Sequence, residues 1–151
     1  MMASCGIALF LAIGLASGDP DRTPRSVRAL LDAIRQVESG GRTDVVGDQG
    51  RSFGPYQIQR DYWKDSGVPG RFSQVRHPTY AERVILRYWQ KYCPQALRQG
   101  DLETLARVHN GGPAGARKAA TLKYWQRVRR ELEAAPRATP SRSTGGRSGS
   151  S

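Results

Sequence analysis

The sequence predicts an α+β domain that is mainly α-helical, with one short β-like segment. Three observations predict it. Apolar residues recur at helical spacing along most of residues 23–135, and capping or turn residues interrupt these stretches repeatedly. Only residues 43–53 lack helical spacing. The chain has 151 residues, which suits a single hydrophobic core.

The first predicted helix starts at Thr23-Pro24, an N-cap followed by proline at the first helical position, and ends at Gly40-Gly41. Its core-facing stripe consists of Val27, Leu30, Leu31, Ile34, Val37 and Glu38. Residues 43–53 follow, where Val45-Val46 and the turn chemistry of residues 47–50 predict a small β-hairpin. A second, shorter helix is predicted over residues 57–66.

Three more helices are predicted in the second half of the chain. Thr79 and Glu82 have capping-box spacing and predict the start of a helix that Pro94 terminates. Asp101 can cap a helix over residues 102–109, and a last helix is predicted over residues 115–135. The apolar stripes consist of Ala81, Val84, Ile85, Tyr88, Trp89 and Tyr92 in the first of these helices, and of Leu122, Trp125, Val128 and Leu132 in the last.

The two ends of the chain differ from the middle in composition. Residues 1–18 carry no charged side chain, and their apolar centre is shorter than the roughly 20 residues that span a membrane. We expect them to be a signal peptide, so that the mature protein is secreted or periplasmic and has no transmembrane span. Residues 136–151 are Pro-, Ser-, Gly- and Arg-rich, which predicts a disordered basic tail. Residues 19–135 remain as the folded domain.

Charge and cysteine content limit the partners and the stabilising chemistry. A formal net charge of +11 favours a polyanionic partner such as nucleic acid, anionic lipid or an anionic cell-wall surface, although such residues often only cover solvated helix faces. For nucleic acid, the basic residues 117–130 lack a recognised reading motif. Cys93 alone remains after removal of residues 1–18, so no internal disulfide is expected. We expect no metal, no cofactor and a monomer.

Glu38 is the strongest candidate for chemistry. It lies four residues after Ile34 on the core-facing stripe, at the C-terminal end of the first helix. Burial and the negative end of the helix dipole both disfavour a carboxylate, and both therefore raise the pKa of Glu38. A glutamate that acts as a general acid near neutral pH needs a raised pKa, because it must still carry its proton at that pH. The alternative is a frayed last turn in which the side chain reaches into water.

Asp48 is the candidate for a second carboxylate. Glycosidic cleavage typically needs two, one to protonate the leaving oxygen and one to stabilise or attack the anomeric centre. A helix end followed by a hairpin can place Glu38 and Asp48 across a cleft. Asp44 competes for this role, and an aspartate in a turn is ordinarily only a cap.

Short blocks of sequence give a resemblance to a known family. They are Val37-Glu38-Ser39-Gly40, Asp48-Gln49-Gly50, Gly54-Pro55-Tyr56-Gln57-Ile58, Tyr62-Trp63, Asp65, Gly67, Pro69-Gly70, Arg107-Val108-His109-Asn110-Gly111-Gly112-Pro113 and Tyr124-Trp125. In these blocks and in their order the chain resembles the destabilase family, the invertebrate-type lysozymes, over about residues 30–130. Glu-Ser-Gly alone would be weak, because lytic transglycosylases share it beside a Gly-x-x-Gln-Ile.

The resemblance implies a lysozyme-like fold and muramidase activity on peptidoglycan, with Glu38 as acid and Asp48 as nucleophile or electrostatic partner. Rings and amides that could bind an N-acetylated sugar predict further substrate-binding residues, namely Ser39, Tyr56, Gln57, Trp63, His109, Asn110 and Gly111. For Trp63 the alternative is core packing, and for His109 and its neighbours it is a helix-ending turn. Some family members are credited with isopeptidase activity, for which Ser52 and His109 are conceivable partners, although nothing local supports an activated serine.

The chain also departs from the family pattern. Gly41, Phe53, Ser66 and Ala116 stand where the family usually has cysteine, which favours a cysteine-poor member, such as a bacterial one. The segment from Asp48 to Gly54 is one residue shorter than usual, which leaves the placement of Asp48 open. Two other functions compete: a lytic transglycosylase that uses Glu38 alone, and a non-catalytic basic protein that binds cell walls.

Overall fold

A computed structural model describes residues 25–135 of the chain. The predicted helix start at Thr23-Pro24, the predicted signal peptide over residues 1–18 and the predicted tail over residues 136–151 lie outside these residues. Within them the α-helices are α1 (Arg25–Ser39), α2 (Arg60–Ser66), α3 (Pro78–Tyr92), α4 (Pro94–Gln99), α5 (Leu102–Gly111) and α6 (Leu122–Ala134). Short 3-10 helices span Asp48–Gly50, Phe72–Arg76, Gly115–Arg117 and Ala119–Thr121.

A small antiparallel sheet lies between α1 and α2. Its strands are β1 (Val46–Gly47), β2 (Ser52–Phe53) and β3 (Ile58–Gln59), in the order β1-β2-β3. Val46 pairs with Phe53, and Ser52 pairs with Gln59. The predicted mainly α-helical fold with a small sheet after the Glu38 helix is thus confirmed, and the sheet has a third strand beyond the predicted hairpin.

The hydrophobic core lies where α1, α3, α5 and α6 meet. α1 packs against α6 and α5, and α3 packs against α2, α4 and α5. The side chains of Leu30, Ile34, Trp89 and Leu105 are fully buried at this junction. The α1 stripe is therefore the core face that its spacing predicts, and it carries Glu38 at its end.

The predicted starts of the second and third helices were wrong. α2 begins at Arg60 rather than at residue 57, because Gln57 has a left-handed backbone with φ of 48° and Ile58 enters β3. α3 begins at Pro78, so Thr79 lies inside the helix and does not cap it. Glu82 instead accepts hydrogen bonds from Tyr56 and Arg28, which ties α3 to the α1 side of the core.

Two further differences concern the ends of helices. Pro94 follows the end of α3 as predicted, but it also starts α4, where a proline at the first position loses no hydrogen bond. The last α-helix starts at Leu122 rather than at residue 115. Its buried face is formed by Tyr124 and Val128, whereas Leu122 is exposed. By contrast, Asp101 caps α5 as predicted, accepting from the Thr104 amide at 3.1 Å.

Candidate active site

Glu38 lies in the last turn of α1, and α6 covers it from one side. The Tyr124 hydroxyl donates a hydrogen bond to Glu38 Oε1 at 2.8 Å. The Glu38 side chain keeps 18% of its surface exposed, so that it is largely buried and still reaches solvent. This is the environment that the apolar stripe of α1 predicts, and the side chain does not fray into water.

The surroundings of Glu38 act on its pKa in opposite directions. Burial raises the pKa of Glu38, whereas the Tyr124 hydrogen bond and the nearby Arg127 guanidinium lower it. The net result is a raised pKa, because the loss of hydration outweighs the two favourable contacts. A carboxyl group with this property retains its proton at higher pH than an exposed glutamate does, as proton donation requires.

Asp48 lies at the start of the 3-10 turn that joins β1 to β2. Its backbone is left-handed, with φ of 50°, and its side chain is 41% exposed. Arg51 Nη2 donates to Asp48 Oδ1 at 2.8 Å, and Gln59 Nε2 donates to Oδ2 at 2.9 Å. These two donors, one on each oxygen, hold the carboxylate in one orientation.

A cleft of about 470 Å³ is lined by both carboxyl groups. Its lining residues are Glu38, Asp48, Ser52, Gln57, Ile58, Gln59, Asp61, Tyr62, Asp65, Tyr88, His109, Asn110, Gly111 and Gly112. The last turn of α1 supplies one carboxyl group, and the 3-10 turn between β1 and β2 supplies the other. Asp44 is exposed and is not among the lining residues, so the placement favours Asp48 over Asp44 as the second carboxylate.

His109 is buried at the base of the cleft, close to Glu38. Its Nε2 lies 3.9 Å from Glu38 Oε1, and its Nδ1 lies 3.2 Å from the Tyr62 hydroxyl. Burial lowers the pKa of His109 to about 4, despite a hydrogen bond with the Tyr56 backbone that acts in the other direction. His109 is therefore neutral at neutral pH and does not act as a positive partner for Glu38.

Two tyrosines form an aromatic wall of the cleft. The rings of Tyr62 and Tyr88 are stacked, with centroids 3.7 Å apart and planes 13° apart. His109 meets Tyr62 edge-on at 5.4 Å. A ring face at such a wall suits the apolar face of a pyranose, and the neighbouring Asp61 and Asp65 add hydrogen-bond acceptors.

The predicted substrate-binding residues fall into two groups. Gln57, His109, Asn110 and Gly111 line the cleft. Ser39, Tyr56 and Trp63 are not among the lining residues and make internal contacts instead. These contacts are from Ser39 Oγ to the Arg35 carbonyl, from the Tyr56 hydroxyl to Glu82 and from Trp63 Nε1 to the Tyr80 hydroxyl. For these three residues the placement favours a packing role.

Sequence reasoning missed Tyr124, Tyr62, Tyr88 and Gln59 as site residues. The sequence pattern places Tyr88 on the apolar stripe of its helix, and it distinguishes Tyr62 and Tyr124 only as parts of Tyr-Trp pairs. In both pairs the tyrosine, not the tryptophan, contacts a cleft residue: Tyr62 contacts His109, and Tyr124 contacts Glu38. One signal could have found them. A tyrosine on an apolar helix stripe has a hydroxyl group that needs a hydrogen-bond partner, which a tryptophan or phenylalanine at the same place does not have.

The described residues give no support for two further chemistries at this site. Within residues 25–135, no group of three or more His, Cys, Asp or Glu side chains could hold a metal ion. Ser52 lines the cleft, and its Oγ accepts from Gln59 Nε2 at 3.3 Å. The hydrogen bonds of His109 involve the Tyr62 hydroxyl and the Tyr56 backbone, so the geometry gives no activated serine for isopeptidase chemistry. In the same part of the chain, no helix is both long and apolar enough to cross a membrane.

Comparisons with known proteins show which family the chain resembles. A family model described as Destabilase matches residues 28–131. The lysozyme of Magallana gigas is 36% identical over 110 residues, which cover 68% of this chain and 78% of that protein. Invertebrate-type lysozyme 6 of Caenorhabditis elegans is 33% identical over 137 residues, which cover 83% of this chain and 93% of that protein.

Solved structures that are similar to this chain are also lysozymes. The inhibitor-bound lysozyme from Meretrix lusoria has a TM-score of 0.59 and 34% identity, covering 68% of this chain and 88% of that one. The crystal structure of Tapes japonica lysozyme has a TM-score of 0.58 and 31% identity, covering 67% of this chain and 86% of that one.

Proposed function

Because the chain belongs to the destabilase family, as its sequence blocks predict, we propose that it is a muramidase in which Glu38 and Asp48 cleave the glycan of peptidoglycan. The bond is the β-1,4 linkage from N-acetylmuramic acid to N-acetylglucosamine. Family membership makes the chain a glycoside hydrolase that binds carbohydrate. The observation that carries the residue roles is the largely buried Glu38 facing one cleft together with Asp48.

In this proposal Glu38 is the general acid. It donates its proton to the glycosidic oxygen, the bond from the anomeric carbon to that oxygen breaks, and the sugar leaves with a hydroxyl group. The Asp48 carboxylate, which lines the same cleft, stabilises the positive charge that develops on the anomeric carbon. Water then adds to that carbon, and its proton restores Glu38. The hydrogen bond from Tyr124 fixes the orientation of the acid.

The substrate is held by the remaining cleft residues. The side chains of Gln57 and Asn110 and the backbone at Gly111 offer amide groups to the N-acetyl substituents, and the Tyr62–Tyr88 wall offers a ring face. His109 is neutral and buried, which supports a role in holding Tyr62 in place. Ser39, Tyr56 and Trp63 support the site from behind through the packing contacts described above.

The surroundings of the reaction follow from the rest of the sequence. We propose that residues 1–18 direct export and are removed, and that residues 19–135 form the lysozyme-like catalytic domain. Residues 136–151 add basic charge, and the net charge of +11 draws the enzyme to anionic cell walls, where it acts as a bacteriolytic monomer.

Glu38→Gln tests the acid. The amide keeps the shape and the hydrogen bond from Tyr124 but has no proton to donate, so lytic activity falls by roughly 10²–10⁴-fold. Loss of turbidity of a cell-wall suspension measures it, and circular dichroism checks that the variant is folded. A variant that keeps more than about a tenth of the wild-type rate is incompatible with Glu38 as general acid.

Asp48→Asn tests the second carboxylate, with Asp44→Asn as its matched control. Loss of the charge at the anomeric carbon lowers activity at least about 100-fold, equal to roughly 2.7 kcal/mol of barrier. The Asp44→Asn variant retains nearly full activity, because Asp44 is exposed and does not line the cleft. Mass spectrometry of the wild-type products shows reducing sugars. Anhydro sugars, which lack one water, together with an active Asp48→Asn variant, would instead identify a lytic transglycosylase.

A further inference from the structure

A groove leaves the catalytic cleft at the edge where Asp48 lies. It has a volume of about 310 Å³ and shares Gln59 and Asp61 with the cleft. Its other lining residues are Gly50, Arg51, Phe53, Arg60 and Phe72. Gln59 donates directly to the Asp48 carboxylate at 2.9 Å, so the groove begins beside the second carboxylate of the proposed mechanism.

The groove continues into a second hollow of about 190 Å³. The two share Phe53, Arg60 and Phe72, and the second hollow adds Ser73, Val75 and Arg76. Together they form one path that runs from the cleft, past Arg60, to Arg76. We call this path the Phe53–Phe72 groove.

Two phenylalanines form the floor of the groove, and two arginines lie over them. The rings of Phe53 and Phe72 meet edge to face, with centroids 5.3 Å apart. The Arg60 guanidinium lies 4.6 Å from the centre of the Phe72 ring, and the Arg76 guanidinium lies 5.3 Å from that of Phe53. A guanidinium that uses its face on a ring keeps the N–H groups at its edge free, and that edge matches a carboxylate.

The charges in the groove favour an anion. Arg51 is paired with Asp48, and Asp61 is paired loosely with Lys64, at 3.9 Å. For Arg60 and Arg76, no carboxylate of residues 25–135 lies within ion-pair distance, and Arg76 donates only to the Asp44 carbonyl at 3.4 Å. Two cations therefore remain available over an apolar floor.

We propose that the Phe53–Phe72 groove binds the acidic stem peptide of peptidoglycan, with Arg60 and Arg76 holding its carboxylates. This inference rests on the proposed function, because the sugar that Asp48 would face is the muramic acid, and the lactyl group of that sugar carries the peptide. The peptide therefore leaves the cleft on the Asp48 side, where the groove begins. Its alanyl methyl groups suit the phenylalanine floor, and its free carboxylates suit the two guanidinium edges.

The test compares two substrates for each enzyme. One is a soluble muramyl glycan that carries its stem peptides, and the other is the same glycan after an amidase has removed them. The wild-type kcat/KM is at least about tenfold higher on the substituted glycan, and Arg60→Gln/Arg76→Gln reduces this ratio to within about twofold of one. The ratio cancels losses of folding or of general activity. Arg83→Gln/Arg130→Gln, two exposed arginines that line neither hollow, removes the same charge and keeps the wild-type ratio.

A third substrate identifies the chemical group that is bound. Substituted glycan whose peptide carboxylates have been amidated loses the wild-type preference if the arginines hold those carboxylates. An unchanged preference for the amidated glycan, or equal wild-type rates on substituted and bare glycan, overturns the proposal. Failure of the wild-type enzyme to cleave any of the three glycans would instead overturn the muramidase function itself.

Discussion

Two neighbours of the Glu38 carboxyl group come from distant parts of the chain. Tyr124 donates to its carboxyl group, and His109 lies 3.9 Å from the same oxygen without carrying a charge at neutral pH. Burial raises the pKa of Glu38, and the Tyr124 hydrogen bond partly opposes that rise. Changing either neighbour therefore alters a measurable property of the site.

Tyr124→Phe removes the donor that stabilises the ionised form of Glu38. The pKa of Glu38 rises further, so the decline of kcat/KM at alkaline pH moves to higher pH. kcat falls by about tenfold because the acid is held less firmly. A pH–rate profile measures both effects. Tyr92→Phe, which removes a hydroxyl that does not line the cleft, keeps the wild-type profile, and an unshifted profile in Tyr124→Phe would contradict this account of Glu38.

His109 makes folding stability depend on pH. Its pKa is about 4 in the folded protein and 6.5 ordinarily, so the unfolded chain binds a proton that the folded protein excludes. The stabilisation is fully present above pH 6.5 and is lost as the pH falls through 4. The loss amounts to about 3 kcal/mol, from 1.36 kcal/mol per pKa unit.

Urea unfolding at pH 7 and pH 4.5 measures this loss in the wild type and in His109→Gln. The variant loses less stability between the two pH values. The raised pKa of Glu38 acts with the opposite sign and is common to both proteins, so the difference between them reports on His109. His77→Gln, at the exposed histidine, behaves like the wild type. Parallel curves for His109→Gln and the wild type would disprove the burial of a neutral imidazole.

At the scale of elements, the small sheet determines where the second carboxylate lies. The connection between β2 and β3 starts with Gly54, whose φ is 77° and whose amide donates to the Val45 carbonyl at 2.9 Å. A Cβ atom at Gly54 would lie 2.5 Å from the Val75 carbonyl oxygen. The sheet therefore packs directly on the backbone of the following 3-10 segment, and only glycine permits that approach.

Gly54→Ala separates this close approach from simple backbone strain. Gly50 also has a left-handed backbone, with φ of 86°, but a Cβ atom there would meet nothing within 4 Å. Gly50→Ala therefore costs only the strain, about 1 kcal/mol, whereas Gly54→Ala costs at least about 3 kcal/mol because backbone must also move. Thermal unfolding measures both. Equal losses of stability would show that the sheet can move away from Val75.

At the scale of the whole molecule, the two main features are a high positive charge and a low number of cysteines. The net charge is +11, and the chain has 2 cysteines, of which Cys93 is free in the part that the structure describes. The packing of α1, α3, α5 and α6 stabilises this domain, whereas disulfides stabilise cysteine-rich small domains. Folding of residues 25–135 therefore involves no disulfide within these residues.

Binding to cell walls weakens as salt increases, because exposed charges are screened over about 8 Å at physiological ionic strength. Deletion of residues 136–151 removes Arg137, Arg142 and Arg147 and lowers wall affinity. Turnover of a soluble tetrasaccharide is unchanged, since the deleted residues follow the catalytic domain. Co-sedimentation with walls over a salt series measures the first effect. Salt-independent binding, or lost turnover of the tetrasaccharide, would contradict it.

The sequence by itself determined that the domain is mainly helical, which faces of α1 and α3 are buried and the position of Glu38 at the end of α1. These are local properties, because side chains three and four residues apart share a helix face whatever packs against it. The sequence blocks likewise determined the family. The start of α2 could not be predicted from local spacing. The left-handed backbone of Gln57 excludes this residue from the helix that was predicted to start there.

Only the tertiary structure decided which side chains meet in the cleft. Tyr124 and Glu38 are 86 residues apart, and His109 and Tyr62 are 47 residues apart, yet each pair shares a hydrogen bond. Spacing along the chain could not distinguish Tyr62, which lines the cleft, from Trp63, which packs behind it. The choice depends on how α2 is rotated against α3 and α5, and that rotation is fixed by contacts between distant segments rather than by any local pattern.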